Sequence, residues 1–193
     1  MARTKAFEEE EILDRAVKLF SERGYNGISM QELVDGLGIN RSSLYDTFGD
    51  KEALYLATLK HYRSERTHKM VALIQQSDDI KATIKSVLDY VVNDSLDAKS
   101  KAGCMMVNTA IELAPHQRKV ATLVAENMNA IEEALTQAIK RAQATQQISK
   151  KHSAIALAHV IANTINGFRV ASRYGADRKL YDNVVQILMS LLD

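Results

Sequence analysis

The sequence predicts an all-α protein. A small N-terminal three-helix domain carries a helix-turn-helix, and a larger helical domain follows it, with about nine helices in all. Three observations point there. Of 193 residues, 46% are hydrophobic and only one is proline, so long helices meet few breakers. β-branched alternation is absent apart from short runs such as Tyr90-Val91-Val92. Apolar residues recur instead at three- and four-residue spacing between polar breaks.

The first helix is expected from about Phe7 to Arg23, with Ile12, Leu13, Ala16, Val17, Leu19 and Phe20 as its buried stripe and Gly24 as its C-cap. Ser29 and Glu32 form a capping box that opens a second, short helix. Met30, Leu33, Val34 and Leu37 give that helix one apolar face, and Gly36 and Gly38 bracket its exit. Asn40 is the N-cap of a third helix carrying Arg41, Ser42, Ser43, Leu44 and Tyr45. Leu44 and Phe48 face inward in this register, which leaves Arg41, Ser42, Ser43, Tyr45 and Thr47 outward. Asp50 caps a fourth helix expected to run to around Ile74, with Lys51 in its first turn.

Two short helices across a Gly-x-Gly turn, with basic and hydroxyl side chains on the second, are the layout of a DNA reader. An exposed Arg bonds guanine bidentately, and small hydroxyls bond base edges or phosphates. A helix N-terminus adds positive partial charge suited to a phosphate. The candidate DNA-contacting set is Ser29, Gln31, Asn40, Arg41, Ser42, Ser43, Tyr45, Thr47 and Lys51.

Phe7 to Lys60 resembles the DNA-binding domain of the TetR family of bacterial transcriptional regulators. The matching pieces are the long first helix ending in Arg23-Gly24-Tyr25, then Gly27-Ile28-Ser29-Met30, Leu37-Gly38-Ile39, Ser43-Leu44-Tyr45 and Phe48-Gly49-Asp50-Lys51-Glu52-Ala53-Leu54. The resemblance implies that Arg41, Ser42 and Ser43 face base edges, and that Ser29, Tyr45 and Lys51 hold phosphates. It also implies that Arg3-Thr4-Lys5 is a basic arm for the minor groove; a frayed terminus accounts for that segment equally well.

Net charge is +1, and the first 63 residues hold nine basic against eleven acidic side chains. Bulk electrostatics therefore supply little grip on DNA, and the expectation is modest affinity for random sequence. One cysteine, Cys104, excludes an intrachain disulfide and a cysteine-rich zinc site. No metal spacing or phosphate loop calls for a cofactor, and no arrangement of Cys104 with His116 or His159 is fixed enough to argue for an enzyme. The absence of a signal-peptide core and of eighteen consecutive apolar residues predicts a cytoplasmic protein with no membrane partner.

A polar break at residues 75–79 separates the fourth helix from one carrying Ile80, Ile84, Val87, Leu88, Val91 and Val92, which gives out in the polar run 94–101. The functional boundary is placed near Lys60, giving a reader over residues 1–60 and a sensing and dimerisation domain over 61–193. Gly103 to Leu113 opens and closes a short helix before Pro115. A long helix follows from about His116 to Ala144. The last two helices, about Ser149 to Tyr174 and Asp177 to Leu192, are apolar on more than one face and carry Ala154, Ala156, Ala158, Ala162, Gly167 and Ala171. Residues about 150–192 are therefore expected to form a homodimer, which a palindromic double-stranded operator would match.

The stretch Gly103 to His116 resembles the ligand domain of one TetR subgroup. A small-molecule effector site is expected from Met70, Cys104, Met105, Met106 and Met128, with Asn108, Glu112, His159, Asn163 and Asn166 as polar groups on apolar helices. The leading expectation is a dimeric repressor released by a small molecule. Two alternatives stand beside it. One is a redox or electrophile sensor working through Cys104, which lies near a helix N-terminus with Lys101 and His116 close in sequence. The other is an architectural DNA protein without an effector.

Overall fold

The computed structural model describes residues 9–97 and 103–193. Ten α-helices occur among them: α1 (Glu9–Arg23), α2 (Met30–Leu37), α3 (Arg41–Phe48), α4 (Lys51–Tyr62), α5 (Lys69–Gln76), α6 (Ile80–Leu96), α7 (Met105–Glu112), α8 (Arg118–Ala144), α9 (Ala154–Ala171) and α10 (Arg178–Ser190). A π-helical segment, Arg63–His68, joins α4 to α5 without a break, so the two run as one long helix and the count of independent helices is nine. No strand occurs among the described residues.

The local chemistry fixes the helix ends. Ser29 accepts from the Glu32 N–H at 3.2 Å, and the Glu32 carboxylate accepts the Ser29 N–H at 2.8 Å. Gly38 then closes α2 at φ 70°, a left-handed conformation that costs other residues a steric clash. Asn40, Asp50, Asp79, Ser153 and Asp177 each cap the helix that follows. α9 therefore starts at Ala154 rather than Ser149. Residues 149–152 form a connector pinned by the Ser149 N–H to the Leu192 carbonyl at 3.1 Å.

The bonds from Ser29, and then the charge of Arg23, hold the Glu32 carboxyl below its ordinary value. A depressed folded value stabilises above the unfolded value of 4.5 and loses that contribution as pH falls through the folded one. Ser29→Ala is expected to lower stability by about 1 kcal/mol in urea unfolding at pH 7. The difference from wild type should shrink once Glu32 is protonated.

Two apolar cores form. One gathers α1–α4 around Phe20, Leu33, Leu37, Leu44 and Leu59, and it also takes Met105 and Met106 from α7, Leu113 just after it, and Val120 and Val124 from α8. The other joins α5, α6, α8, α9 and α10 around Ile84, Leu88, Leu135, Ile139, Ile161 and Tyr181. α7 is thus packed with α1–α4 and also meets α8 and α9. Val17, Leu19 and Phe48, expected inside, are only half-buried.

Ala154–Tyr174 is long and apolar enough to cross a membrane by length and composition. In the fold it is a core helix: Leu157, Ala158, Ile161, Ala162, Ile165 and Phe168 are buried, and it packs closely on α8 and α6.

Candidate nucleic-acid interface and sensor cavity

The reading head is held as a unit. Arg15 on α1 donates to the Leu37 carbonyl at 2.9 Å, and Arg23 bonds Glu32 at 3.1 Å, so α2 is fixed to α1 at both ends. α3 projects Arg41, Ser42 and Tyr45 into solvent, with Ser43 and Thr47 half-buried. Asn40 accepts from the Ser43 N–H at 2.8 Å and from the Ser42 hydroxyl at 2.7 Å. The Arg41 guanidinium lies 5.8 Å from the Tyr45 ring centre, a loose stacking that leaves its donors free for a base edge.

Besides Asn40 and Ser42, three more of the expected contacts are engaged inside the protein. The Ser29 hydroxyl bonds Glu32, and the Gln31 amide donates to Asp35 at 2.9 Å. Lys51 donates to the Ile28 carbonyl and stands 4.6 Å from the Tyr25 ring centre, so it braces the turn before α2. Two N–H groups of its ammonium remain for a phosphate. The arm Arg3-Thr4-Lys5 and the residue Lys101 lie outside the described residues.

The second site is a cavity of about 430 Å³ between the π-helical segment, α5, α6, α8 and α9, with the N-terminus of α7 at its inner end. Of the sequence-predicted ligand residues, Met70, Cys104, Met128 and Asn166 line it, as does Met106. The Tyr62 hydroxyl lies 3.2 Å from the Cys104 sulfur. Burial pushes that hydroxyl well above its ordinary range, and the neighbouring thiol adds to the shift, so Tyr62 is neutral there.

Five of the expected ligand residues are elsewhere, each for a physical reason. Met105 points into the reader core. Asn108 donates to the Ser21 carbonyl at 3.2 Å. Glu112 accepts the backbone N–H groups of Tyr25 at 3.0 Å and Asn26 at 2.7 Å. His159 is exposed and pairs with Glu132 at 3.7 Å, while Asn163 is exposed and bonds the His159 carbonyl one turn back. His116, the other candidate base, is exposed as well.

α7 is therefore a latch between the two sites. Its N-cap, Cys104, is in the cavity wall, and its remaining polar side chains grip the reader. Thr109 meets the Tyr55 hydroxyl at 2.7 Å in a buried contact, where burial pushes Tyr55 up to about 12. Glu112 crowds the turn after α1: a Cβ on Gly24, whose φ is +73°, would stand 2.7 Å from a Glu112 oxygen.

Sequence reasoning missed Asn127, Arg169, Arg66 and Tyr90 in the cavity wall. Asn127 had a readable signal, because it falls in phase with Val120, Val124 and Ile131 on the buried stripe of α8.

α9 and α10 present an outer apolar face as well. Ile155, Val160, Val170 and Tyr174 are exposed on α9 and the turn after it, and Leu180, Val184 and Ile187 on α10, with Tyr174 at 68% and Ile187 at 65%. The small residues divide differently from expectation. Ala154, Ala158, Ala162 and Ala171 are buried within the chain, while Ala156 and Gly167 are exposed, and a Cβ on Gly167 would meet nothing within 4 Å.

Comparison with known proteins places these features in a family. Residues 12–58 match the model of bacterial regulatory proteins of the tetR family, and residues 77–188 match the C-terminal domain model of tetracyclin-repressor-like proteins. The chain is 29% identical to the HTH-type transcriptional regulator YezE of Bacillus subtilis (strain 168), over the full length of both. It is 28% identical to the HTH-type transcriptional repressor ComR of Escherichia coli (strain K12), over 90% of this chain and 83% of that one. In fold it is similar to a cysteine mutant of the TetR family regulator CifR, complexed with 26-bp operator DNA. The TM-score is 0.86 at 22% identity, covering 99% of this chain and 100% of the other. The reduced form of E. coli NemR is similar too, with a TM-score of 0.85 at 17% identity over 95% and 96% of the two chains. A helix-turn-helix built on α2 and α3, followed by a helical region that matches the family's C-terminal domain, makes this chain a member of the TetR family of DNA-binding transcriptional regulators.

Proposed function

We propose that the protein is a cytoplasmic, dimeric repressor that leaves a palindromic operator when a small molecule fills the cavity beneath α7. The observation that carries this reading is the cavity itself, because the residue capping α7 is in its wall and the rest of α7 holds the reader. An occupant that displaces α7 or the long α4–α5 helix changes the setting of α3, and paired recognition helices bind only at matched half-site spacing. The exposed face of α9 and α10 supports the dimer, as does the dimeric, effector-binding character of TetR regulators.

The test starts from genomic fragments retrieved by the protein. A compound that raises its Tm is expected to weaken binding to such a fragment by about 5- to 150-fold. Both effects should vanish in Met70→Trp, which fills the cavity from α5. Retrieval of no specific fragment, or stabilising compounds that leave DNA affinity unchanged, would contradict the proposal.

A second reading, a thiol switch, is favoured by one contact: the half-buried Cys104 faces the cavity beside Tyr62. Iodoacetamide would bond its carbon to the sulfur, expel iodide and release the thiol proton to solvent. Rapid alkylation of the native protein with loss of operator binding supports the switch. A thiol that reacts only after denaturation removes it and leaves the non-covalent effector in place.

A further inference from the structure

The cavity also carries information about the chemistry of its occupant. Most of its wall is apolar, supplied by residues such as Met70, Leu73, Val87, Val91, Ile131 and Ile165. At 430 Å³ it takes a body well beyond one benzene ring, which an engineered apolar cavity of about 150 Å³ accommodates. The polar groups then decide which body.

Most of those groups are already matched inside the protein. Arg169, from α9, is paired with Asp94 on α6. Lys69 is paired with Glu65 at 2.5 Å. Tyr62 and Cys104 satisfy each other at 3.2 Å. Arg66 donates to the Tyr90 hydroxyl at 2.7 Å, and both of these side chains are exposed. Among the described residues, the buried part of the wall therefore presents no unpaired cation to a charged ligand, Arg66 lying at the exposed edge, and a buried ion without a partner is strongly penalised.

Asn127 differs from all of these. It is 2% exposed, it lines the cavity, and its side-chain oxygen has no hydrogen-bond partner among the described residues. A buried amide left unmatched is costly. Asn166, on the facing helix α9, is poorly satisfied too: its amide reaches only the Met128 thioether, at 3.7 Å. Two carboxamides on facing helices, set in an apolar wall, complement a group that donates and accepts at once.

Resting on the reading of this cavity as the effector site, we propose that its ligand is an uncharged, mainly apolar molecule bearing one hydroxyl or amide N–H, which donates to Asn127. The apolar body occupies the space between α5, α6 and α8, and the polar group lies at the Asn127 and Asn166 end. Asn127 is then the residue that selects among apolar compounds of similar size. A site built to bond a donor rejects the analogue lacking it, because its own polar group is left unpaired.

The test uses three probes of one shape: 4-butylphenol with a donor, 4-butylanisole without one, and 4-butylbenzoate with a full charge. Calorimetric titration of the full chain should show the phenol binding at least about tenfold more tightly than the anisole or the benzoate. In Asn127→Leu the gap between phenol and anisole should close, with the anisole binding at least as well as it does to wild type. Equal binding of phenol and anisole by the wild type would overturn the proposal, whatever the state of the variant. So would the benzoate binding best, binding of none of the three, or a gap that survives in Asn127→Leu. Operator binding read in the same samples separates the two layers. Donor-selective binding through Asn127 without DNA release retains the ligand class and removes the effector reading. DNA release by the anisole as readily as by the phenol does the reverse.

Discussion

Ile187→Glu is expected to leave the protein monomeric and to weaken operator binding by about 10²- to 10⁴-fold, the scale set by splitting a bivalent contact into two single ones. Ile187 is 65% exposed on α10, so the substitution costs the isolated chain little. In the proposed dimer the same position lies within an apolar patch with Val184 and Leu180 beside it and Ile155, Val160 and Val170 on α9. A carboxylate buried there against its symmetry-related copy is strongly penalised. Sedimentation equilibrium checks the assembly state, and an unchanged Tm at low protein concentration shows that the fold has survived. A variant that stays dimeric would move the interface to another face.

Glu112→Ala is expected to uncouple the two sites rather than abolish either. Its carboxylate is the acceptor for the Tyr25 and Asn26 N–H groups, and no other contact of α7 reaches that turn so directly. Removing it costs about 1–3 kcal/mol of contact between α7 and the reader. That range equals the coupling energy usual for linked sites, about 1–3 kcal/mol. The ratio of operator affinities with and without a cavity ligand should therefore fall toward one, while the ligand still binds. Hydrogen exchange at Tyr25 and Asn26 should speed up in parallel. An undiminished ratio would place the transmission in the α4–α5 helix instead.

The reader was legible because its signals are local. Ser29 with Glu32, Gly38, Asn40 and Asp50 each act within four residues, and each cap formed where the sequence placed it. The sensor was legible as helices but less so as a site. Asn108 and Glu112 are polar residues on a short apolar helix, which suits a ligand wall and a domain junction equally. Only the packing of α7 on α1 decides between them. His159 and Asn163 lie one turn apart on a helix that is apolar on two faces, and periodicity alone does not say which face looks inward. Asn127 was hidden for the opposite reason. Its neighbours Glu126 and Asn129 make the stretch read as solvated surface, although its register is that of Val124 and Ile131.

The π-helical segment had no signal in the sequence. Arg63–His68 reads as plain polar helix, yet this widened turn adjoins the cavity and places Arg66 at its edge. Insertions of this kind inside helices are frequent at functional sites.

In the proposed regulator α3 reads sequence with a few placed groups, in a domain whose acidic side chains outnumber its basic ones. Titrating wild type and Arg41→Ala against an operator fragment and a random duplex, over a series of salt concentrations, measures this. Wild type should bind the operator tightly and the random duplex weakly, with a shallow salt dependence because few phosphates are neutralised. Arg41→Ala should lose about 1–3 kcal/mol on the operator and almost nothing on random DNA. Tight, steeply salt-dependent binding to both duplexes, or an Arg41→Ala protein that still discriminates between them, would contradict it.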